Sequence, residues 1–559
     1  METVASSLVR HLHRWGIRHT FGVPGKAIVP LILELGNQNV EFVLSRHEGG
    51  AGFSAAGYAL MNGSLGVAIG TSGPGGTNML TAAGQAKAYH LPVLFITGHA
   101  SSKDSGRPLG QDSTFFAADL ARMFESVTLF SARVERSEQF PVYLQHALER
   151  ALTGVRGPVH LSIPQDVLTE PVLPFELELP AAHPPLRSPR LKEAVEMLEQ
   201  ARRPALLLGK GVHISGAYEA AEAFAERWQI PVMTTPGGKG AFRSRHPLHI
   251  GPYGLGGCPE ASMYLKSGID LFVAIGTKLS DMSLPAITED MVPQAVLHFD
   301  IDGTFVGKSF PAPTLFIQGD AKANLEALLE LAADRAPQAG ESYTEVAAAL
   351  QTPVLSENEV MKAKSLVIPD ETGALITAVQ VMEVLGRSLP PDVIVFGDDG
   401  SHSYHAIRSL DIHTPGSFRF DDVFAAMGHA IGFSIGAKIA SPERTVICLT
   451  GDGCMFMHGT EISTAVNNGA DVIFVVLNNG RLDMVNKGMR HATGRSDGTV
   501  YETPLQAALL AEALGALAFT ASTPPELEEA LEKALQAGRT AVIEVLVDPE
   551  EIPPTLARG

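Results

Sequence analysis

Cysteine is scarce. Cys258, Cys448 and Cys454 are the only three in 559 residues, and no CxxC spacing joins them, so neither a disulfide framework nor a zinc site is indicated. Cys448 falls inside an apolar run, where a small buried thiol is the expected role. Long apolar runs are also missing, and none approaches membrane-spanning length. The first 25 residues read as an amphipathic helix entering a strand and a turn, without the apolar stretch and cleavage site of a secretory signal, so the expected location is cytoplasmic. Positive charge is in deficit: 42 Lys and Arg against 61 Asp and Glu give a formal charge of −19. That balance opposes non-specific association with nucleic acid, and no basic run offsets it. No G-x-G-x-x-G opens a helix with a suitably placed acid, which argues against a nicotinamide dehydrogenase.

What remains describes a compact α/β protein, with 45% apolar residues, 18% charged residues and 55 glycines. The length exceeds one hydrophobic core, and three units are expected. Strand-type runs alternate with helical stretches through FVLSRHEG, LGVAIGTSGPG, LPVLFITGHA and GPVHLSIPQDV. They do so again through RPALLLGKGV, IPVMTTPGGKG, DLFVAIGTKLSD and AVLHFDID, and finally through PPDVIVFGDDGSH, RTVICLTGDG, DVIFVVLNNG and TAVIEVLVDPE. The fold class expected is three successive open parallel-sheet α/β domains. The Pro-rich stretch Leu177–Pro185 and a mixed segment over 336–368 read as linkers, which puts the domains at 1–178, 188–345 and 366–559.

The most informative feature is Gly451-Asp452-Gly453, a tight turn after one apolar run, followed after a helix and a second apolar run by Asn478-Asn479-Gly480. Asp452 and Asn479 then stand at the carboxyl ends of neighbouring parallel strands, where ligands gather in open α/β sheets. A carboxylate and an amide oxygen suit Mg²⁺, which takes hard oxygen ligands together with phosphate oxygens. The glycines beside Asp452 let backbone approach a phosphate at a helix N-terminus. A bare Gly-Asp-Gly is weak evidence, and the doublet alone is an ordinary turn.

The two motifs at this spacing resemble the thiamin-diphosphate enzymes, and the likeness covers nearly the whole chain. Within that family the closest likeness is to the acetolactate synthases (acetohydroxyacid synthases), carried by Phe21-Gly22-Val23-Pro24-Gly25, Arg46-His47-Glu48-Gly49-Gly50-Ala51, Thr71-Ser72-Gly73-Pro74-Gly75-Gly76-Thr77-Asn78 and Gly276-Thr277-Lys278-Leu279-Ser280-Asp281. The resemblance implies pyrimidine-binding, central and diphosphate-binding domains in that order. It makes Asp452, Asn479 and the Arg481 carbonyl the Mg²⁺ ligands. It implies cofactor contacts from Pro24, Gly25, Glu48, Thr71, Gly75, Asn78, Gly400, Ser401, His402, Ala425, Met427, Gly451, Gly453, Cys454, Leu482 and Met484. Glu48, at a strand-to-helix junction, matches the carboxyl group that hydrogen-bonds the aminopyrimidine ring so that its exocyclic nitrogen can take the thiazolium C2 proton. From position alone, Glu48 is equally well a helix N-terminal acid, worth under about 1 kcal/mol. Met427 matches the bulky apolar residue that bends the cofactor, and on its own would be core filler. His402 is read as a phosphate donor, with a surface histidine as the plain alternative.

His99 and Gln111 are the candidate substrate groups, each able to donate to a carboxylate or a developing alkoxide. His99 stands where acetolactate synthases commonly have Gln, and its alternative role is a strand-end residue satisfied by backbone. Two positions depart from the biosynthetic enzymes: Gln165 where they carry Lys, and Gly488 where they carry Trp. The implied activity is decarboxylation of a 2-keto acid, pyruvate first, with carboligation to a second carbonyl. A decarboxylase, an oxidase or another carboligase is the rival, and a non-catalytic scaffold of the same fold the remoter one. The family places its cofactor between two chains, so a homodimer is the minimum unit expected, and tetramers are common among relatives. The loops Pro236–Phe242 and Gly254–Gly257 are similar to those that hold FAD in some relatives, but such glycine loops also occur without flavin, and the balance of the reading is against it.

Overall fold

The computed structural model describes residues 2–180, 185–285, 287–335 and 375–556. The expected linker over 336–368, the ends of the second and third domains at 345 and 366, and the linker residues 181–184 lie outside these. The described chain folds into three six-stranded sheets in which every recorded pairing is parallel.

The first sheet holds β1 (His19–Gly22), β2 (Glu41–Leu44), β3 (Gly66–Gly70), β4 (Val93–His99), β5 (Phe130–Arg133) and β6 (Val159–Pro164), in the order β2-β1-β3-β4-β6-β5. The second holds β7 (Pro204–Leu208), β8 (Val232–Thr234), β9 (His249–Pro252), β10 (Leu271–Ile275), β11 (Ala295–Asp300) and β12 (Thr314–Gln318), in the order β12-β11-β10-β7-β8-β9. The third holds β13 (Ile394–Gly397), β14 (Phe418–Arg419), β15 (Val446–Gly451), β16 (Ile473–Asn478), β17 (Leu517–Ala521) and β18 (Ala541–Leu546), in the order β14-β13-β15-β16-β18-β17. The first and third sheets therefore share one topology.

The helices that follow the second strand of these two sheets, Glu48–Asn62 and His429–Ala440, occupy equivalent places and pack on each other. Their composition explains the contact. Both are rich in Gly, Ala and Ser, and a Cβ on Gly57 would strike the Phe433 carbonyl, as one on Gly436 would strike that of Ser54. Backbone thus meets backbone, and one apolar core, with Phe21, Phe53 and Phe95 from the first unit and Phe396, Phe433 and Phe474 from the third, runs through the joint. The second unit keeps its own core around Phe224, Trp228 and Phe299. Gly436→Ala is expected to destabilise the protein by about 1–3 kcal/mol or more, as overpacking does, which urea unfolding would measure. A shift below a few tenths would contradict this packing.

Candidate active site

The expected site residues of the third unit gather, all but Ala425, at the carboxyl edge of its sheet. β15 ends at Gly451, paired with Leu477 of β16, and Asp452 opens the helix Asp452–His458. After β13 the chain turns at Gly400, with φ 154°, into the helix Ser401–Ser409. These junctions enclose a cleft of about 330 Å³, within the size range of small-ligand sites. Gly400, Ser401, His402, Met427, Gly451, Asp452, Gly453, Cys454, Asn479, Arg481, Leu482 and Met484 all line it, whereas Ala425 lies outside its lining.

The Asn doublet divides its work. Asn478 turns inward, donating to the Leu505 carbonyl and to Glu544 at 2.7 Å each and accepting from the Gly480 N–H at 3.1 Å. Asn479 is left for the cleft. Asp452 is 4% exposed and accepts only backbone N–H groups, from Gly453 at 2.8 Å and Arg481 at 3.1 Å. Burial pushes its carboxyl up to about 6. A buried carboxylate that no cationic side chain pairs with among the described residues suits a divalent ion, and the Asn479 amide and Arg481 carbonyl would add hard oxygens.

The anion side fits equally. His402 is 6% exposed, its Nε2 has no partner among the described residues, and burial pushes it down to about 4, so at neutral pH the uncharged ring offers one N–H donor. A Cβ on Gly400 or Gly451 would meet this ring, which accounts for both glycines. With two helix N-termini at the same cleft, a diphosphate has donors and a favourable field. The surface-histidine alternative is excluded by this burial.

On the first unit, Glu48 is 9% exposed and is the first residue of its helix. Asn78 Nδ2 donates to Glu48 Oε2 at 2.9 Å. A Cβ on Gly25 or Gly75 would strike Thr71, so these residues close one tight turn cluster at the sheet's carboxyl edge, with the buried Thr71 hydroxyl unpartnered and Pro24 exposed. Among the described residues, none of the first unit lines the third-unit cleft within the chain. His99, at the end of β4, lines a separate cavity with Arg133 and Pro164. Its Nδ1 is 2.8 Å from the Ala100 carbonyl, and its Nε2 is unpartnered. Gln111 is exposed, with φ 53°, and its backbone lies beside Gly73.

The glycines of the two flavin-like loops are consumed by the protein itself. A Cβ on Gly237 would meet the Asp422 carboxylate, on Gly238 the Leu208 carbonyl, on Gly254 the Met282 carbonyl and on Gly256 the Tyr404 ring. The close approach glycine permits is taken here by the chain's own groups, which accounts for these glycines without a ligand.

Four acids escaped the sequence reading. Glu461 accepts the N–H groups of Arg46 (3.0 Å) and His47 (2.8 Å), fixing the entry to the Glu48 helix. Asp398 accepts from Gly428 N–H at 2.8 Å and Thr450 at 2.9 Å and pairs with His429 at 3.3 Å. Asp399 lines the cleft, and burial raises it to about 7. Asp421 is wholly buried. The doublets Asp398-Asp399 and Asp421-Asp422, each just after a strand, were the available signal; Glu461 had none.

Three thiamine pyrophosphate enzyme domains match the chain: the N-terminal TPP binding domain over residues 2–120, the central domain over 191–328 and the C-terminal TPP binding domain over 398–545. The acetolactate synthase large subunit of Corynebacterium glutamicum is 32% identical over 564 residues, covering 98% of this chain and 87% of the relative. The acetolactate synthase isozyme 3 large subunit of Escherichia coli is 30% identical over 568 residues, covering 99% and 96%. The large subunit of Haemophilus influenzae is 31% identical over 568 residues, with the same coverage. The chain therefore belongs to the thiamine pyrophosphate enzyme family, as an acetolactate synthase-like enzyme of carboligase/transferase type.

Proposed function

We propose that this enzyme uses thiamin diphosphate and Mg²⁺ to decarboxylate a 2-keto acid, pyruvate first, and to join the resulting two-carbon unit to a second carbonyl, giving acetolactate when the acceptor is also pyruvate. The observation that carries the reading is the third-unit cleft, where the unpaired buried Asp452, Asn479, the unpartnered His402 Nε2 and two helix N-termini converge. Bound thiamin diphosphate supplies a carbon nucleophile and an electron sink for the decarboxylation. Asp452, Asn479 and the Arg481 carbonyl would hold the metal, and His402 would donate to a phosphate oxygen. Met427, in the cleft lining, would pack against the cofactor, while Glu48, oriented by Asn78, would hydrogen-bond the pyrimidine ring. That no first-unit residue lines the cleft of one chain among the described residues supports a site completed by Glu48 of a second copy, with a homodimer as the smallest working unit.

Product identification by mass spectrometry, with pyruvate alone and with mixed keto acids, tests the reaction. Acetolactate supports the proposal; acetaldehyde or acetyl phosphate without acetolactate gives the rival decarboxylase or oxidase, which Gln165 and Gly488 keep in view. Because Gly488 stands where the biosynthetic enzymes carry Trp, acceptors larger than pyruvate belong in the panel. The packing of the central loops supports an enzyme without flavin, and the purified protein is expected to show no flavin band in its visible spectrum.

The raised Asp452 carboxyl gives a pH dependence of definite sign. Its folded value, about 6, exceeds the ordinary aspartate value of 3.8, so its contribution to the ligand-free fold is full below about pH 4 and is lost as pH rises through 6. Asp399, pushed up to about 7, acts in the same direction. Mg²⁺ needs the ionised carboxylate, so its affinity is expected to rise about tenfold per pH unit up to about pH 6 and then to level off. Calorimetric titration with Mg²⁺ and the cofactor between pH 5 and 8 would show it; affinity falling with pH would contradict Asp452 as a ligand.

A further inference from the structure

Lys210 is the first residue of a short helix after β7, in the central unit and outside the cleft. It is nevertheless buried at 7% exposure. Its Nζ lies 2.5 Å from Asp421 Oδ1 and 3.9 Å from Asp422, donates to the first-unit carbonyl of Ala88 at 3.2 Å and stands over the Tyr89 ring. Asp421 has no exposed surface. Burial acts to raise its carboxyl, but the Lys210 ammonium outweighs this and holds it below the ordinary carboxylate range.

The other oxygen of Asp421 holds backbone. Oδ2 accepts the N–H of Phe424 at 2.9 Å and of Ala425 at 3.2 Å, and also Gln85 Nε2 at 2.7 Å. Gln85 Oε1 in turn accepts the Ala426 N–H at 3.2 Å. Asp422 accepts the Gly237 N–H at 3.0 Å, so all three units meet at this point. Ala425 is held at φ 56°, a conformation that an alanine keeps only where its surroundings over-determine it. Beyond Met427 the segment is gripped again: Asp398 takes the Gly428 N–H, and His429 Nδ1 lies 2.7 Å from the Ala426 carbonyl. Met427 is thus carried on a segment clamped at both ends.

We propose that Lys210 is a positioning residue: through Asp421 and Gln85 it sets the backbone of residues 424–426 and so the reach of Met427 into the cleft. The proposal rests on the reading of that cleft as the thiamin diphosphate site. A bond that merely glued the units together would change folding and cofactor uptake; one that sets Met427 changes the reactivity of cofactor already bound.

The test is the exchange rate of the thiazolium C2 proton, read by NMR after acid quench at saturating thiamin diphosphate and Mg²⁺, alongside kcat, KM and cofactor Kd with pyruvate. Lys210→Met is expected to lower C2 exchange and kcat together, by roughly a hundredfold, the scale of a small misplacement of reacting groups, with cofactor Kd and KM little changed. Lys210→Arg, which keeps the cation, recovers most of the loss, and Lys210→Met with Asp421→Asn loses less than Lys210→Met alone, because no buried charge is left uncompensated. Arg243→Ala, which removes an exposed ion pair to Glu222, serves as the unaffected central-unit control. If Lys210→Met does not fold, Gln85→Met, which leaves the ion pair in place, carries the same expectation. Wild-type exchange in a folded variant, or a loss explained wholly by cofactor affinity, overturns this inference alone. A wild-type protein that takes up no thiamin diphosphate overturns the reading of the cleft, and this inference with it.

Discussion

Glu48→Gln is expected to lower pyruvate turnover by roughly a hundred- to ten-thousand-fold, the range in which a positioned proton donor or acceptor contributes, while leaving the fold and cofactor uptake near wild type. The amide keeps the shape of the side chain but cannot exchange a proton with the pyrimidine ring. Asn78, which now donates to Glu48 Oε2, still finds an amide oxygen, so local structure is preserved. The signature is a loss of thiazolium C2-proton exchange parallel to the loss of turnover, at saturating cofactor. Turnover within a few fold of wild type would reduce Glu48 to a helix N-terminal acid, whose value is under about 1 kcal/mol.

Asp452→Asn is expected to abolish Mg²⁺-dependent uptake of thiamin diphosphate, by more than roughly a hundredfold in affinity, since even outer partners of metal ligands are worth 10- to 100-fold. The same change is expected to stabilise the ligand-free protein at pH 7. The wild-type carboxyl titrates near 6 instead of at 3.8 because burial opposes its charge. Above that pH the fold therefore holds an ion it would be more stable without, a cost of about 3 kcal/mol. Asparagine can still accept the Gly453 and Arg481 N–H groups. A rise in melting temperature without ligand, together with loss of the ligand-induced rise, separates a binding residue from a structural one. A variant that is destabilised without ligand and still responds to Mg²⁺ and cofactor would remove Asp452 from the site.

The central strands of all three sheets were legible in the sequence because both of their faces are covered. β4, β10, β15 and β16 read as unbroken apolar runs and are buried throughout. The strands without such a signal, β5, β9, β12, β14 and β17, all stand at the edges of their sheets. There one side is open, and residues such as Thr520 or Gln318 are exposed, so no continuous run forms.

The site shows the same division. Gly451-Asp452-Gly453 and Asn478-Asn479 were readable because strand ends and turns force their residue types close together in the chain. The ties that orient them were not. Asp421 meets Lys210 from another unit, and Glu461 grips Arg46 and His47 across 414 and 415 positions of sequence. Such pairs are set by how units dock, and no spacing rule reaches that far. The glycine loops of the central unit carried a signal that reads two ways, because close backbone packing selects glycine as strongly as a ligand does. The small residues of the Glu48 helix were visible as a pattern, but their reason, the backbone contact with Gly432 and Gly436, required the structure.

That Glu48 of one copy completes the cleft built by Asp452 and Asn479 of another is tested most directly by mixing two inactive variants. Glu48→Gln and Asp452→Asn proteins, each purified alone, are dissociated, combined in equal amounts and allowed to reassemble, and pyruvate turnover is measured. A site shared across a two-fold interface regains about a quarter of wild-type activity, because half of the dimers are mixed and each of those has one site with neither substitution. A site lying within a single chain regains none, and that result would contradict the account.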